Sequence, residues 1–130
     1  MSARSTVLAG RQAAEALMID TARVDSLGPP VEDEDGDVTA PRTQVYLGRC
    51  KVQSLEGQEA NPVAGGATYT VQRYRVDFPV GAFRPEVGQE VTITAAALDP
   101  NLAGRVFRVV ALLHKTAGTA YRLAVEEGPA

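Results

Sequence analysis

The chain of 130 residues contains a single cysteine, Cys50, a single histidine, His114, and no tryptophan. One thiol excludes an intramolecular disulfide, and one Cys with one His cannot complete a tetrahedral zinc site. A small disulfide scaffold and a zinc module are both ruled out. Basic surplus is missing too. Thirteen Lys and Arg stand against 16 Asp and Glu, a net charge of −3, which leaves no bulk charge to drive counterion release from nucleic acid. No stretch approaches the ~20 consecutive apolar residues that span a bilayer, and the N-terminus lacks the apolar run of a signal peptide. A protein made and used in a reducing, aqueous compartment is expected.

What is present fits one ordinary globular domain. Hydrophobic residues make up 45% and charged residues 22%, within the usual range for a folded domain and far from a disordered chain. Residues 1–130 are therefore expected to form a single domain with one core.

Periodicity predicts one helix, over residues 6–19. Val7, Leu8, Ala14, Leu17 and Met18 recur mostly at spacings of three, four or seven, with Arg11, Gln12 and Glu15 on another side. Ser5 or Thr6 is the expected N-cap, and Gly10 costs the helix about 1 kcal/mol relative to Ala. Beyond it the period changes to two. Strand patterns run over 21–24, 44–53, 68–78, 90–95, 105–113 and 120–126, with a bulge expected at Gly48. In 68–78 the inward set is Thr70, Gln72, Tyr74, Val76 and Phe78. Two long loops are expected, 26–43 and 55–67; the second has Gly and Pro but no apolar period. About six strands with Gly and Pro turns after one helix predict a mainly β fold, a small antiparallel β-barrel or sandwich spanning residues 20–127.

Signs of catalysis are few. Asp33, Asp35 and Asp37 alternate in an acidic run but do not match the calcium-loop pattern: Gly36 comes too early and no Glu occupies the twelfth position. They read as a solvated hairpin tip. Cys50 and His114 form a nucleophile and base on paper only, and a buried thiol with a structural histidine is the plainer reading. No phosphate loop, nucleophile elbow or paired His ligands occur, so neither an enzyme nor a cofactor or metal is expected. Arg73 and Arg75 flank Tyr74, and Arg105 and Arg108 flank Val106 and Phe107. Two readings stand for these arginines, a solvated outer face and a polar subunit or partner interface.

The order of elements resembles a family of small tailed-phage proteins, the head-closure or stopper components of the head-to-tail connector. The resemblance rests on the opening helix Gly10-Arg-Gln-Ala-Ala-Glu-Ala-Leu-Met18, on Val45-Tyr-Leu-Gly-Arg-Cys-Lys-Val-Gln53, on Asp99-Pro-Asn-Leu-Ala-Gly-Arg-Val-Phe-Arg-Val109 and on the closing Tyr121-Arg-Leu-Ala-Val-Glu126. It covers nearly the whole chain. It implies a small β-barrel carrying a helix and long loops, arranged in a homo-oligomeric ring, commonly of twelve copies. By the same resemblance the protein has no catalytic activity: it closes the portal channel after DNA packaging and offers the tail its docking surface. The implied partners are the portal or adaptor above and the tail terminator or tail tube below, with packaged DNA close only through the channel and no membrane. The implied location is the neck of the virion, with the host cytoplasm before assembly. The candidate channel loop carries Glu56, Gln58, Glu59, Asn61, Pro62, Gly65 and Gly66, and the acidic residues 32–37 compete for that role. A tail terminator or completion protein is the nearest rival, and a host β-barrel binding module is the rival of another class. An oligonucleotide-binding barrel would require a basic groove with exposed aromatics.

Overall fold

In the computed structural model, residues 2–55 and 73–127 are described. The chain runs α1 (Ala3–Ala16), β1 (Asp20–Leu27), β2 (Val31–Glu32), β3 (Val38–Thr39), β4 (Arg42–Leu55), β5 (Arg73–Phe78), β6 (Glu90–Ala95), a 3₁₀ turn (Pro100–Leu102), β7 (Val106–Leu112) and β8 (Tyr121–Glu127). Six strands close into an antiparallel barrel in the order β1-β4-β5-β8-β7-β6, with β1 pairing β6 to complete the circle. The expected mainly β fold with one N-terminal helix is what forms, and it is a closed barrel, not an open sandwich.

Alternation builds the core. Ala22 and Val24 of β1, Cys50 of β4, Val76 and Phe78 of β5, Val91 and Ile93 of β6, Phe107 and Val109 of β7, and Leu123 and Val125 of β8 form one buried cluster. Each strand contributes every second residue, the period of a half-buried strand. Tyr46, Phe78 and Phe83 close one end, with Tyr46 edge-on to Phe78 at 5.4 Å between centroids and Phe83 edge-on to Phe78 at 5.0 Å.

Several expected boundaries move. The helix keeps its 14 residues but starts three earlier, because Ser2 is the N-cap: its hydroxyl accepts from the Ser5 amide at 3.1 Å. Ser5 and Thr6 instead donate their hydroxyls back to the Ser2 carbonyl. The stripe that faces the barrel is Val7, Gly10, Arg11, Ala14 and Glu15, with Met18 buried beyond the helix end, while Leu8 and Leu17 point outward at 47% and 59% exposure. Gly10 has a reason to be there. A Cβ at that position would lie 2.8 Å from the Thr119 methyl, so glycine allows the helix to approach the loop before β8.

The expected bulge at Gly48 is not found. Gly48 pairs in register with Ala22, and the slip falls between Val24 and Asp25, opposite Tyr46 and Gln44, leaving Val45 as the extra residue. Residues 26–43 are not a plain loop: they hold the end of β1, the two-stranded ribbon β2–β3 and the start of β4. Leu55, expected to open the second loop, still belongs to β4. Arg105 precedes β7 and does not begin it, and on β6 Ala95 is exposed although it shares the parity of the buried Val91 and Ile93. The channel-loop candidates Glu56, Gln58, Glu59, Asn61, Pro62, Gly65 and Gly66 lie outside the described residues, as do Thr70 and Gln72 of the expected inward set.

Candidate functional site

Three of the four singled-out arginines stand on the outer face of the barrel. Arg73 pairs across to Glu126 in register and reaches its carboxylate at 3.8 Å. Arg108 lies on the other side of Glu126 and also opposite Glu90, so Glu126 sits between two arginines. Arg75 donates to Asp77 at 2.9 Å along its own strand and to the Gln53 side chain on β4. The Asp77 carboxylate is only 5% exposed as a residue, and the guanidinium beside it supplies the partner that a buried carboxylate requires. Arg105 sits apart, at the end of the barrel, where its Nε donates to the Asn101 carbonyl at 2.7 Å and its Nη1 pairs with Glu127.

The outer charges extend further than the four arginines. Glu90 is in register with Asp25, and Arg42 pairs with Glu90 and approaches Asp25 at 4.0 Å. Arg23 donates its Nε to Asp25 at 3.1 Å. The row Arg73, Glu126, Arg108, Glu90, Asp25 thus crosses five strands, with Arg42 bridging its last two members. The Glu90 carboxylate, through its hydrogen bond and its charge, raises the Arg42 guanidinium above its ordinary value. Sequence reasoning missed Arg23, Asp25, Arg42 and Glu90, although the outward parity of Arg23 and the position of Glu90 at a strand start were visible signals.

At one end of the barrel the β2–β3 ribbon carries the acidic run. Asp33 ties it together: its Oδ1 accepts from the amides of Asp35 at 2.9 Å and Asp37 at 2.8 Å, and its own amide donates to the Asp37 carbonyl. This is the solvated hairpin tip expected from the run. Val31 and Val38 flank it at 54% and 66% exposure.

Cys50 and His114 are not a catalytic pair. Cys50 is fully buried in the core, where burial, with Asp20 and Asp77 adding to it, pushes its thiol up to about 12. Such a thiol stays protonated and out of reach of substrate. His114 is exposed beyond β7, in an open groove of about 630 Å³ with Phe83, Arg84, Leu112 and Tyr121. A second groove, about 330 Å³, runs along the start of α1 between Ala3, Arg4, Val7, Leu8, Arg11 and Ala117. Its lining has apolar side chains and two guanidinium groups but no acid. Among the described residues no group of three His, Cys, Asp or Glu is placed to hold a metal ion.

No curated protein matches the chain. Among solved structures it is similar to the solution structure of protein SF1141 from Shigella flexneri 2a, with 18% identity, a TM-score of 0.55, and coverage of 85% of this chain and 93% of that one. At that identity the likeness is one of fold. In sequence, residues 10–126 match a family described as a family of unknown function, DUF6093. The match takes in the second half of the helix and the barrel strands as far as Glu126, and the chain belongs to that family.

Proposed function

We propose that this protein is a head-closure component of a tailed-phage head-to-tail connector, a ring subunit that closes the portal channel after DNA packaging and gives the tail a surface to dock on. The observation that carries this reading is the arrangement of the helix on the barrel. α1 has no buried residue, and among the described residues its side-chain hydrogen bonds to the barrel are those of Arg11 to the Gly118 carbonyl at 3.2 Å and of Glu15 with Arg49 at 2.6 Å. A rigid closed body with an outward helix and a projecting ribbon agrees with the layout that the sequence resemblance implies. It suits a subunit that packs beside neighbours and adjusts its appendages against them.

The charged row on the outer face supports the same reading. Polar, Arg-rich surfaces fit contacts that form during assembly, since they keep the free chain soluble. Arg73, Arg75 and Arg108 are the interface residues proposed on this face, and Arg105 is proposed for an end contact.

The test is electron microscopy of particles from a phage or prophage lacking this gene. Head closure predicts emptied or leaking heads beside free tails of normal length. Overlong tail tubes would assign the chain to tail termination, and normal infectious particles would remove it from the connector. Deleting residues 59–66 is expected to impair DNA retention.

A further inference from the structure

We propose that the groove at the start of α1 receives the acidic β2–β3 hairpin of a second copy of this chain. The inference rests on the ring reading for its symmetry and adds the contact that would build it.

The two surfaces match in chemistry. The groove offers an apolar floor from Ala3, Val7, Leu8 and Ala117, with Arg4 and Arg11 at its sides. The hairpin offers Glu32, Asp33, Glu34, Asp35 and Asp37 between the exposed Val31 and Val38. Among the described residues Arg4 has no ion pair, and neither do Glu32, Glu34 and Asp35, so both surfaces keep charge to give a partner. The first turn of α1 contains no acid to neutralise Arg4. Asp33 is the exception: its carboxylate is committed to the hairpin backbone, which holds the other acids on a defined ribbon.

Their placement favours a second copy over a contact within one chain. The hairpin joins β1 to β4, while Ala117 belongs to the connection between β7 and β8. In the closed order β1-β4-β5-β8-β7-β6 these two connections are three strands apart, on opposite sides of the barrel. They also leave the same end, because β1 ends where β4 begins and β7 ends where β8 begins. A knob on one side and a complementary groove on the other make a head-to-tail contact, the kind that generates a ring when its rotation closes. Within one molecule the barrel itself separates them.

The test is sedimentation of the full chain at up to millimolar concentration and low salt, comparing wild type with Arg4→Glu, Glu34→Lys and the double variant. Both positions are exposed, and circular dichroism will verify that the variants fold. Each single reversal is expected to weaken self-association by at least about tenfold, and the double variant to restore it, since the reversed hairpin then meets the reversed groove. Added salt should weaken the wild-type contact, because exposed charges are screened. Association unchanged by the reversals would overturn this contact while leaving the ring reading in place. A chain that stays monomeric throughout would also overturn it, whereas the ring reading itself falls only with the particle phenotype.

Discussion

The Tyr46 hydroxyl passes over Gly48 and donates to the Arg49 carbonyl at 2.7 Å, and a Cβ on residue 48 would meet that same hydroxyl oxygen at 2.7 Å. The glycine therefore makes room for the tyrosine on the inner face of β4. Tyr46→Phe is expected to cost about 1 kcal/mol, the net worth of one hydrogen bond. Gly48→Ala should cost about 1–3 kcal/mol by forcing the ring aside. In the Tyr46→Phe background the Gly48→Ala penalty should shrink, because the nearest clashing atom is gone. Urea denaturation of the four chains measures the coupling, and strictly additive costs would refute it.

Gly10 and Thr119 invite a similar experiment at the helix. Alanine at residue 10 would favour α1 by about 1 kcal/mol on propensity alone, yet its Cβ would press on the Thr119 methyl. Gly10→Ala is expected to give no gain by itself. Combined with Thr119→Ser, which removes that methyl and keeps the hydroxyl that accepts from Arg122, it should recover most of the propensity gain. Thermal melts of the two single variants and the double variant decide the matter.

Cys50 sets a limit on stability in alkali. Its folded value of about 12 lies above the ordinary 9.0, so the unfolded chain loses the proton first. The stabilisation is complete below about pH 9 and is lost as pH rises toward 12, at about 1.4 kcal/mol per pH unit. Burial raises the Tyr46 phenol as well, which adds to the loss above its ordinary 10.0. Cys50→Ala should flatten the first part of that decline in urea titrations run from neutral to alkaline pH. At neutral pH, iodoacetamide should label the thiol only after denaturant is added.

Residues adjacent on β7 should differ sharply. Phe107 is fully buried and stacks near Tyr74 with centroids 5.1 Å apart; Phe107→Ala is expected to cost about 3–5 kcal/mol. Arg108→Ala, on the outer face, should change stability by less than about 0.5 kcal/mol. Val109→Asp, which places a charge in the core, should unfold the chain. Circular dichroism of the three variants separates inward from outward positions directly.

The barrel was legible because alternation reports burial: Val76 and Phe78, expected to face inward from period alone, are both buried, as are Val91 with Ile93 and Leu123 with Val125 at the same two-residue spacing. The helix was legible as an element but not as a face. Leu8 and Leu17 look like core in the sequence, yet the docking stripe runs through Gly10 and Arg11, because a small residue and a long polar one suit the close approach to Thr119 and the Gly118 carbonyl. Gly48 looked like a bulge for a related reason: a missing side chain breaks the apolar pattern whether the backbone slips or a neighbouring ring fills the space. The buried Asp25 and Asp77 were invisible in the pattern, since their burial depends on arginines that reach them from the same strand or the next. The charged row across β5, β8, β7, β6 and β1 needed the strand order, which no local pattern contains.

Closure of the barrel by β1 against β6 has a consequence for crowding. An open sheet of these six strands would expose two rows of unpaired amides and carbonyls, each a template for strand addition and fibre growth. Here each of the six strands has a strand neighbour on both sides, and the only other sheet among the described residues, β2–β3, pairs just two residues on each side. Many copies can therefore be held at high local concentration with little tendency to join through their backbones, which leaves side-chain chemistry to decide which neighbours meet.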